Sequence, residues 1–482
     1  MSEERMETTE ATNTTNMMEE GENTTQEKKE EIKEVEKKEI REPREKLNRG
    51  QMTREDASVL VKFTTKQKQY AVPGASVSVK VRSKPNDLND IIKAFIQQTG
   101  GDDKKLPEFD FVVSGKMLRT GLNQRMDEGG IGYEKVINIE YMKKLPPPTP
   151  KDSLQHDDWV AAVQCSKEWL LTGCYDNTVH LWDVAGLARG DGERAHRLTI
   201  PAHLAPVKSV TWVDTEGPLK KFISTSIDQT AVVWMWHSEE NTVDCVCECR
   251  GHTQSVECVA VHSDEMFATG SWDNTINVWP LDNFSKEDPK KEGEEKEKEK
   301  EVKKKKVYKS KKMTPLVTLT GHTENVGSAA WVGVHELATA SWDHSLRFWD
   351  VELGEIKSQI VGNCAFFSMS YSPLNKTILA SCADRYIRLY DHRTQKSEMM
   401  LQKFTSHTKW VPSVMWSKTN PHLFVSGGYD CTVKQWDNRS PKIPLYDLMG
   451  HEDKVLAVDW SNPEFIVSGG ADCTAKVFSS NS

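Results

Sequence analysis

Between residue 156 and the C-terminus, an Asp is followed six positions later by an aromatic residue, seven times over. The pairs are Asp176/Trp182, Asp228/Trp234, Asp273/Trp279, Asp343/Trp349, Asp384/Tyr390, Asp430/Trp436 and Asp472/Phe478. In six of the seven copies a His precedes the Asp by 20 to 25 residues: His156, His203, His252, His322, His407 and His451. Successive Asp residues stand 52, 45, 70, 41, 46 and 42 positions apart. Such a period marks an array of supersecondary units, each burying its apolar face only against its neighbours. Just before the aromatic, Val179/Leu181, Ile276/Val278 and Leu346/Phe348 place apolar side chains at every second position, on one face of a strand.

The pattern resembles the WD-repeat family, whose repeats build a circular β-propeller of four-stranded blades. The fold expected is mainly β, a seven-bladed WD-repeat β-propeller preceded by a small α+β ubiquitin-like domain. The resemblance implies a hydrogen-bonded structural set in each repeat, made of the His, the turn Asp, a Ser or Thr two residues before it, and the Trp. Here those sets are His203/Ser226/Asp228/Trp234, His252/Ser271/Asp273/Trp279 and His322/Ser341/Asp343/Trp349. His, Asp and Ser together also invite a catalytic reading. Three equivalent sets in separate blades argue for scaffold, since an active site needs only one and a buried carboxylate must be paired.

Other copies depart from the pattern. The first has Cys174 for the Ser, and the fifth has Asn363, Cys382 and Tyr390 for the His, Ser and Trp. The sixth has Gly428, and the last has Gly470 and Phe478. Those blades are expected to be looser. The chain stops four residues after Phe478, so a strand around Lys151–Gln155 is expected to close the ring.

The 482 residues suffice for two folded units with flexible segments, and the formal net charge is −9. Residues 1–56 carry 11 basic and 17 acidic side chains and no aromatic, a composition that reads as a disordered charged extension. Neither an 18-residue apolar stretch nor a signal-type N-terminus is found, which reads as a soluble intracellular protein. Ten cysteines fit that reading, several as small buried hydrophobes. Cys245, Cys247 and Cys249 alternate on one strand and are expected to share a face, a spacing unlike that of zinc sites.

Residues 57–143 read as a separate unit. Val59–Thr64 and Ser76–Val81 are strands, and Asp87 is placed to cap a helix through about Gln98 with Leu88, Ile91, Ile92, Phe95 and Ile96 on one face. Phe109, Phe111 and Val113 alternate in a third strand, and Val136, Ile137, Ile139 and Tyr141 form the last. The order ββαββ resembles a ubiquitin-like fold, and with no free Gly-Gly tail it reads as a docking module. Residues 144–155 hold a Pro-rich linker and the ring-closing strand, and residues 156–482 the propeller with a charged insert at 281–313.

A ubiquitin-like unit ahead of WD repeats resembles the Notchless-type ribosome-assembly factors. The match is carried by Glu108-Phe-Asp-Phe111, Leu118-Arg119, Ile139-Glu-Tyr141, His156-Asp-Asp-Trp159, Leu445-Tyr-Asp-Leu448, His451-Glu-Asp-Lys-Val455, Val458-Asp-Trp460 and Gly469-Gly-Ala-Asp472. These details resemble the WD-repeat subunits of PeBoW ribosome-biogenesis complexes more than Notchless itself, whose ring carries additional repeats.

That resemblance implies a non-enzymatic assembly factor for the large (60S) ribosomal subunit, in the nucleolus and nucleoplasm, needed for rRNA processing to 28S and 5.8S. Implied partners are pescadillo-type and block-of-proliferation-type proteins, the AAA+ ATPase midasin and the pre-60S particle with its rRNA, and no membrane. No cofactor of its own is implied. In this family a carboxylate from the loop before the last strand of the ubiquitin-like domain completes the Mg²⁺ coordination of midasin. The matching position is Glu134, and a single Glu can supply one hard oxygen ligand. Asp127 and Glu128 compete for the role, and Glu134 also reads as an ordinary solvated acid.

Two surface features remain. The insert ends with Lys303, Lys304, Lys305, Lys306, Lys309, Lys311 and Lys312 within ten residues, which reads as a nuclear import signal or as a solvated loop. The position before the turn Asp faces the narrower surface of a WD ring and holds Tyr175, Trp272, Trp342 and Tyr429, with Trp159 and Trp410 three residues after their His. Exposed aromatics of this kind mark interfaces, with partly buried packing as the alternative, and Arg385 and Arg388 add charged anchors. A substrate receptor of a cullin-type ubiquitin ligase is the reading from another class. An enzyme is disfavoured by the lack of a phosphate-cradling Gly-Lys-Ser/Thr motif, a nucleophile elbow or zinc-ligand spacing.

Overall fold

A computed structural model describes residues 57–98, 106–132, 134–262, 265–281, 311–394 and 399–480. The charged extension 1–56 and Lys303, Lys304, Lys305, Lys306 and Lys309 lie outside the described residues.

The first unit is a five-stranded sheet in the order β2-β1-β5-β3-β4. Its strands are β1 (Ser58–Thr64), β2 (Ser76–Lys80), β3 (Phe109–Val113), β4 (Lys116–Met117) and β5 (Ile137–Lys143). β1 and β5 are parallel at the centre, and the other pairs are antiparallel. Helix α1 (Pro85–Gln98) packs on one face through Leu88, Ile92 and Ile96. The helix begins before Asp87: Pro85 takes the first helical position, where a missing N–H costs nothing, and Asp87 reaches back to accept from the Lys84 N–H at 2.8 Å. Buried Asn89 accepts from the Phe109 N–H at 2.7 Å and donates to its carbonyl at 2.9 Å, tying helix to sheet. Strand β4 and a second helix, α2 (Leu122–Gly129), were not legible in the apolar pattern, being short and mostly polar.

Seven further sheets follow, one per repeat. The first strand of each packs against the first strand of the next, and Val455–Asp459 of the last meets Val160–Cys165 of the first, so the ring is closed. The fourth strand of blade seven is β6 (Thr149–Gln155), antiparallel to Thr474–Ser479. That pairing joins the two ends of the ring by hydrogen bonds rather than by apolar contact alone.

Blade two departs from the plan. Its outer strand, Thr242–Arg250, carries a bulge where Trp234 faces Cys245 while Val233 faces Cys247. A bulge adds one residue and re-aims those beyond it. Cys245 therefore packs beside Trp234, and Cys247 and Cys249 pack on the other face with Phe267 and Trp279, correcting the single face expected for all three. Lys311–Met313 then adds a fifth strand, parallel to Cys247–Cys249. Both ends of the 281–313 insert thus belong to the ring: Leu281 and Met313 are buried, and Lys311 and Lys312 sit on a strand with exposed side chains.

Candidate functional site: the aromatic mouth of the ring and an exposed acid

The repeated His and Asp residues form buried chains. In blade two the Trp234 indole N–H donates to Ser224 Oγ at 2.8 Å, and Ser224 lies 2.7 Å from His203 Nε2. His203 Nδ1 lies 3.0 Å from Asp228 Oδ2. With its oxygen occupied by the indole, the hydroxyl donates to Nε2, so Nδ1 carries the proton and donates to the carboxylate. His252/Thr269/Asp273/Trp279, His322/Thr339/Asp343/Trp349 and His407/Ser426/Asp430/Trp436 repeat the chain.

The hydroxyl in the chain lies four residues before the Asp, not two. Ser226, Ser271 and Ser341, expected in that place, instead accept from the backbone N–H of the turn Asp at 3.1 Å. Burial works to raise the carboxyls of Asp228, Asp273 and Asp343, and the bonds from His and from Thr230, Thr275 and Ser345 overcome it, so all three stand well below the ordinary value. In blades one to four and six the hydroxyl that faces the His Nε2 is already bonded by the indole N–H of a Trp, so each chain ties one strand to the next; in blade seven, where Phe478 replaces the Trp, Ser468 faces His451 without an indole partner.

The blades expected to be loose are not alike. Blades six and seven are tight: His407 and His451 each lie 2.9 Å from one oxygen of their Asp and 3.1 Å from the other. Their glycines permit this, since a Cβ at Gly428 or Gly470 would stand 2.6 Å from the imidazole Nδ1. In blade one His156 turns its Nδ1 to the Leu154 carbonyl, leaving Asp176 to Thr178. In blade five Arg388 takes the place of the imidazole and chelates Asp384. Arg388 is therefore engaged within the blade rather than offered as a surface anchor.

At the mouth of the central channel, of about 1110 Å³, aromatic rings from successive blades touch in series. Trp272 meets Trp342 at 5.1 Å, Trp342 meets Phe367 at 5.7 Å, Phe367 meets Trp410 at 5.5 Å, and Trp410 meets Tyr429 at 6.0 Å between centroids. Lys454 lies over Tyr429 and Trp159, Trp159 meets Tyr175 at 5.4 Å, and Lys208 lies over Tyr175. Lys208 then pairs with Glu257 at 3.1 Å, and Glu257 accepts from Ser255, whose carbonyl holds the Trp272 N–H. The girdle runs through all seven blades. Trp272 and Trp410 are 42% and 51% exposed, while Tyr175, Trp342 and Tyr429 are half-buried, so part of the girdle is open at the surface and part is packed among its neighbours. Phe367, Lys208 and Lys454 escaped the sequence reading because they lie outside the repeated Asp–aromatic frame.

Beside the girdle, Arg385, Lys409, Trp410 and Tyr429 line a hollow of about 470 Å³. Arg385 is exposed and takes a φ of +66°, and the residue after the turn Asp in every other blade is also left-handed, with φ from +58° at Cys473 to +73° at Gln229. A long cation in that left-handed conformation carries a cost of about 1 kcal/mol that Gly would avoid.

On the first unit, Glu134 lies on the turn before β5 and is exposed, with no ion pair or side-chain hydrogen bond among the described residues. Glu128, its competitor, is engaged: Lys442 Nζ lies 2.9 Å from its Oε1, and that bond lowers its carboxyl below the ordinary value. Asp127 caps the end of α2 through its carbonyl. No cluster of three or more His, Cys, Asp or Glu capable of holding a metal occurs among the described residues. Nor is any helix among them long and apolar enough to cross a membrane.

The chain is thus a seven-bladed propeller with an aromatic-lined mouth, joined to a small α+β domain that carries an exposed acid. Residues 59–126 match the NLE (NUC135) domain, and residues 149–183, 243–280, 313–350, 354–391, 399–437 and 442–479 match the WD domain, G-beta repeat. Relatives named "Ribosome biogenesis protein WDR12 homolog" align along most of the chain. The protein of Ixodes scapularis is 44% identical over 410 residues, covering 84% of this chain and 95% of its own. That of Aedes aegypti is 41% identical over 398 residues, covering 82% and 90%, and that of Drosophila virilis 43% over 409, covering 84% and 91%. The chain belongs to this WDR12 family of ribosome biogenesis proteins.

Proposed function

We propose that the protein is a non-enzymatic assembly factor for the 60S subunit, acting in the nucleolus and nucleoplasm on the path to 28S and 5.8S rRNA. Residues 156–482 hold a block-of-proliferation-type partner and, through it, a pescadillo-type protein. The girdle residues Tyr175, Trp272, Trp342, Trp410 and Tyr429, with Arg385, form the surface offered to partners. Residues 57–143 dock on midasin, with Glu134 adding one carboxylate to the partner's Mg²⁺. ATP hydrolysis then belongs to the partner, and this chain transmits the resulting pull. The lysine-rich end of the insert, including Lys311 and Lys312, supports nuclear import.

The observation that carries this reading is likeness to ribosome biogenesis proteins along more than four-fifths of the chain, across both modules. The exposure of Glu134, set against the engagement of Glu128, supports the choice of acid. The test is affinity capture of tagged wild type and Glu134→Ala from nuclear extract, read by mass spectrometry. Pescadillo-type and block-of-proliferation-type proteins are expected with both baits and midasin with wild type only. Cullin adaptors in place of all three would overturn the proposal.

A further inference from the structure

One loop of the ring grips the small domain. Between the third and fourth strands of blade six, the stretch 437–446 meets three separate segments of the first unit and the linker that follows it. The Met117 N–H in β4 donates to the Arg439 carbonyl at 2.8 Å. The Arg439 guanidinium holds both oxygens of Asp437, at 2.8 and 2.6 Å, and lies 3.3 Å from Met142 Sδ in β5. Lys442 meets Glu128 at the end of α2, and the Tyr446 hydroxyl donates to the Leu145 carbonyl in the linker at 2.5 Å.

The charges across this contact are interdependent. Burial raises the carboxyl of Asp110 on β3; Arg119, Lys144 and Arg439 oppose that rise, and Asp437 adds to it. Arg439 thus stands between one carboxylate of the ring and one of the small domain. Asp437 is almost fully buried, with a side chain 2% exposed. Without the guanidinium the two acids face each other in a poorly solvated place, where like charges repel strongly. The contact is mostly polar, so its hold rests on hydrogen bonds and ion pairs that single substitutions can remove.

We propose that the 437–446 loop is a clasp that seats the small domain on blade six in one orientation, so that the turn bearing Glu134 is presented from a single rigid body. A domain held only by the Pro146–Pro148 linker would sample many directions, and each binding event would have to order it first. The clasp does that ordering in advance. The proposal concerns only contacts within the chain and stands whatever partner Glu134 meets.

The amide of Met117 is a built-in reporter, because its acceptor belongs to the ring and survives any side-chain change there. Hydrogen exchange on the full-length protein should show it protected in wild type. Arg439→Gln and Lys442→Glu should speed its exchange at least about threefold, the scale of losing one partly exposed charge contact. Amides of β5 such as Ile139 and Tyr141 should remain slow, showing that the domain is still folded. The charge swap Lys442→Glu with Glu128→Lys should restore protection, and small-angle scattering should show a larger radius of gyration for Arg439→Gln than for wild type. An unprotected Met117 amide in wild type would overturn the clasp, as would unchanged exchange in both single variants. So would a charge swap that fails to rescue a β5-intact Lys442→Glu protein.

Discussion

The Arg388 guanidinium donates to both carboxylate oxygens of Asp384, filling in blade five the place that an imidazole takes in blades two, three, four, six and seven. The ring therefore answers one need, partners for a partly buried acid at the turn between the second and third strands, in three ways: an imidazole in five blades, a guanidinium in blade five, and Thr178 for Asp176 in blade one. Burial raises the Asp384 carboxyl, and the Arg388 contact, helped by the Tyr386 N–H and the charge of Lys403, more than reverses it.

Arg388→Ala should leave that acid without its partner. The expected loss is about 1–3 kcal/mol, the usual result of removing one partner of a partly buried charged pair. Thermal melting should fall, and hydrogen exchange should rise first at Ile387–Tyr390. An unchanged melt would mean that water serves Asp384 as well as the guanidinium does.

Gly428→Ser restores the residue common at its position in blades two to four, and should nevertheless destabilise. Its Cβ would lie 2.6 Å from His407 Nδ1 and 2.4 Å from Asp430 Oδ1, inside any real contact distance. Overpacking of this kind costs about 1–3 kcal/mol. The melting temperatures of Gly428→Ser and wild type, compared at neutral pH, check it; a gain in stability would show that the imidazole can retreat.

The architecture was legible because its signal is written seven times, and each copy corrects for drift in the others. What the sequence hid was local. The hydroxyl of each buried chain lies on the second strand four residues before the Asp, and in a run such as Ser224-Thr-Ser226 either Ser satisfies a spacing rule; only strand register shows which one faces the His. The bulge at Cys245 and the fifth strand at Lys311–Met313 depend on how distant segments pair, which no local period reports. Glu134 and Glu128 are both acids six residues apart, separated only by whether a lysine over 300 positions away reaches one of them.

Acid should weaken the first blade before the rest. Burial and the neighbouring His180 push the His156 imidazole down to about 4, and burial likewise lowers His180 and His196, which lie 3.2 Å apart. A base whose folded pKa is depressed stays neutral in the native state while the unfolded chain takes up protons. Stability is therefore full above the ordinary value of about 6.5 and declines as pH falls toward 4. The lowered turn carboxyls add a second loss below about pH 4, where the unfolded acids protonate first. The melting temperature should drop by several degrees between pH 7 and 5, and His196→Gln should flatten that slope.

Trp342 sits in the girdle between two large rings, Trp272 and Phe367. Trp342→Ala should loosen both neighbours and weaken capture of the propeller's protein partner about tenfold or more, the behaviour of a central interface aromatic. Trp410→Ala, at a more exposed ring between Phe367 and Tyr429, tests whether the effect spreads around the mouth. Titration by biolayer interferometry against the block-of-proliferation-type partner proposed above is the measurement. Unchanged affinity for both variants would move the binding surface off the channel mouth.

Glu134 and Glu128 should separate cleanly by which property each governs. Glu134 is exposed and makes no ion pair among the described residues, so Glu134→Gln should alter stability by less than about 0.5 kcal/mol. If it supplies an oxygen to the partner's Mg²⁺, the same change should abolish binding of midasin's metal-bearing domain, and chelation of the metal should reduce wild type to the level of the variant. A neutral amide has a much weaker claim on a hard divalent cation than a carboxylate. Glu134→Asp, which keeps the charge and shortens the reach, tells position from charge: full binding would mean that proximity of any acid suffices, and loss would mean that the ligand's placement matters. Glu128→Gln reads oppositely, since its carboxylate is held by Lys442. It should speed exchange at Met117 and leave the metal-dependent contact measurable, because the acid it removes was already committed to the ring.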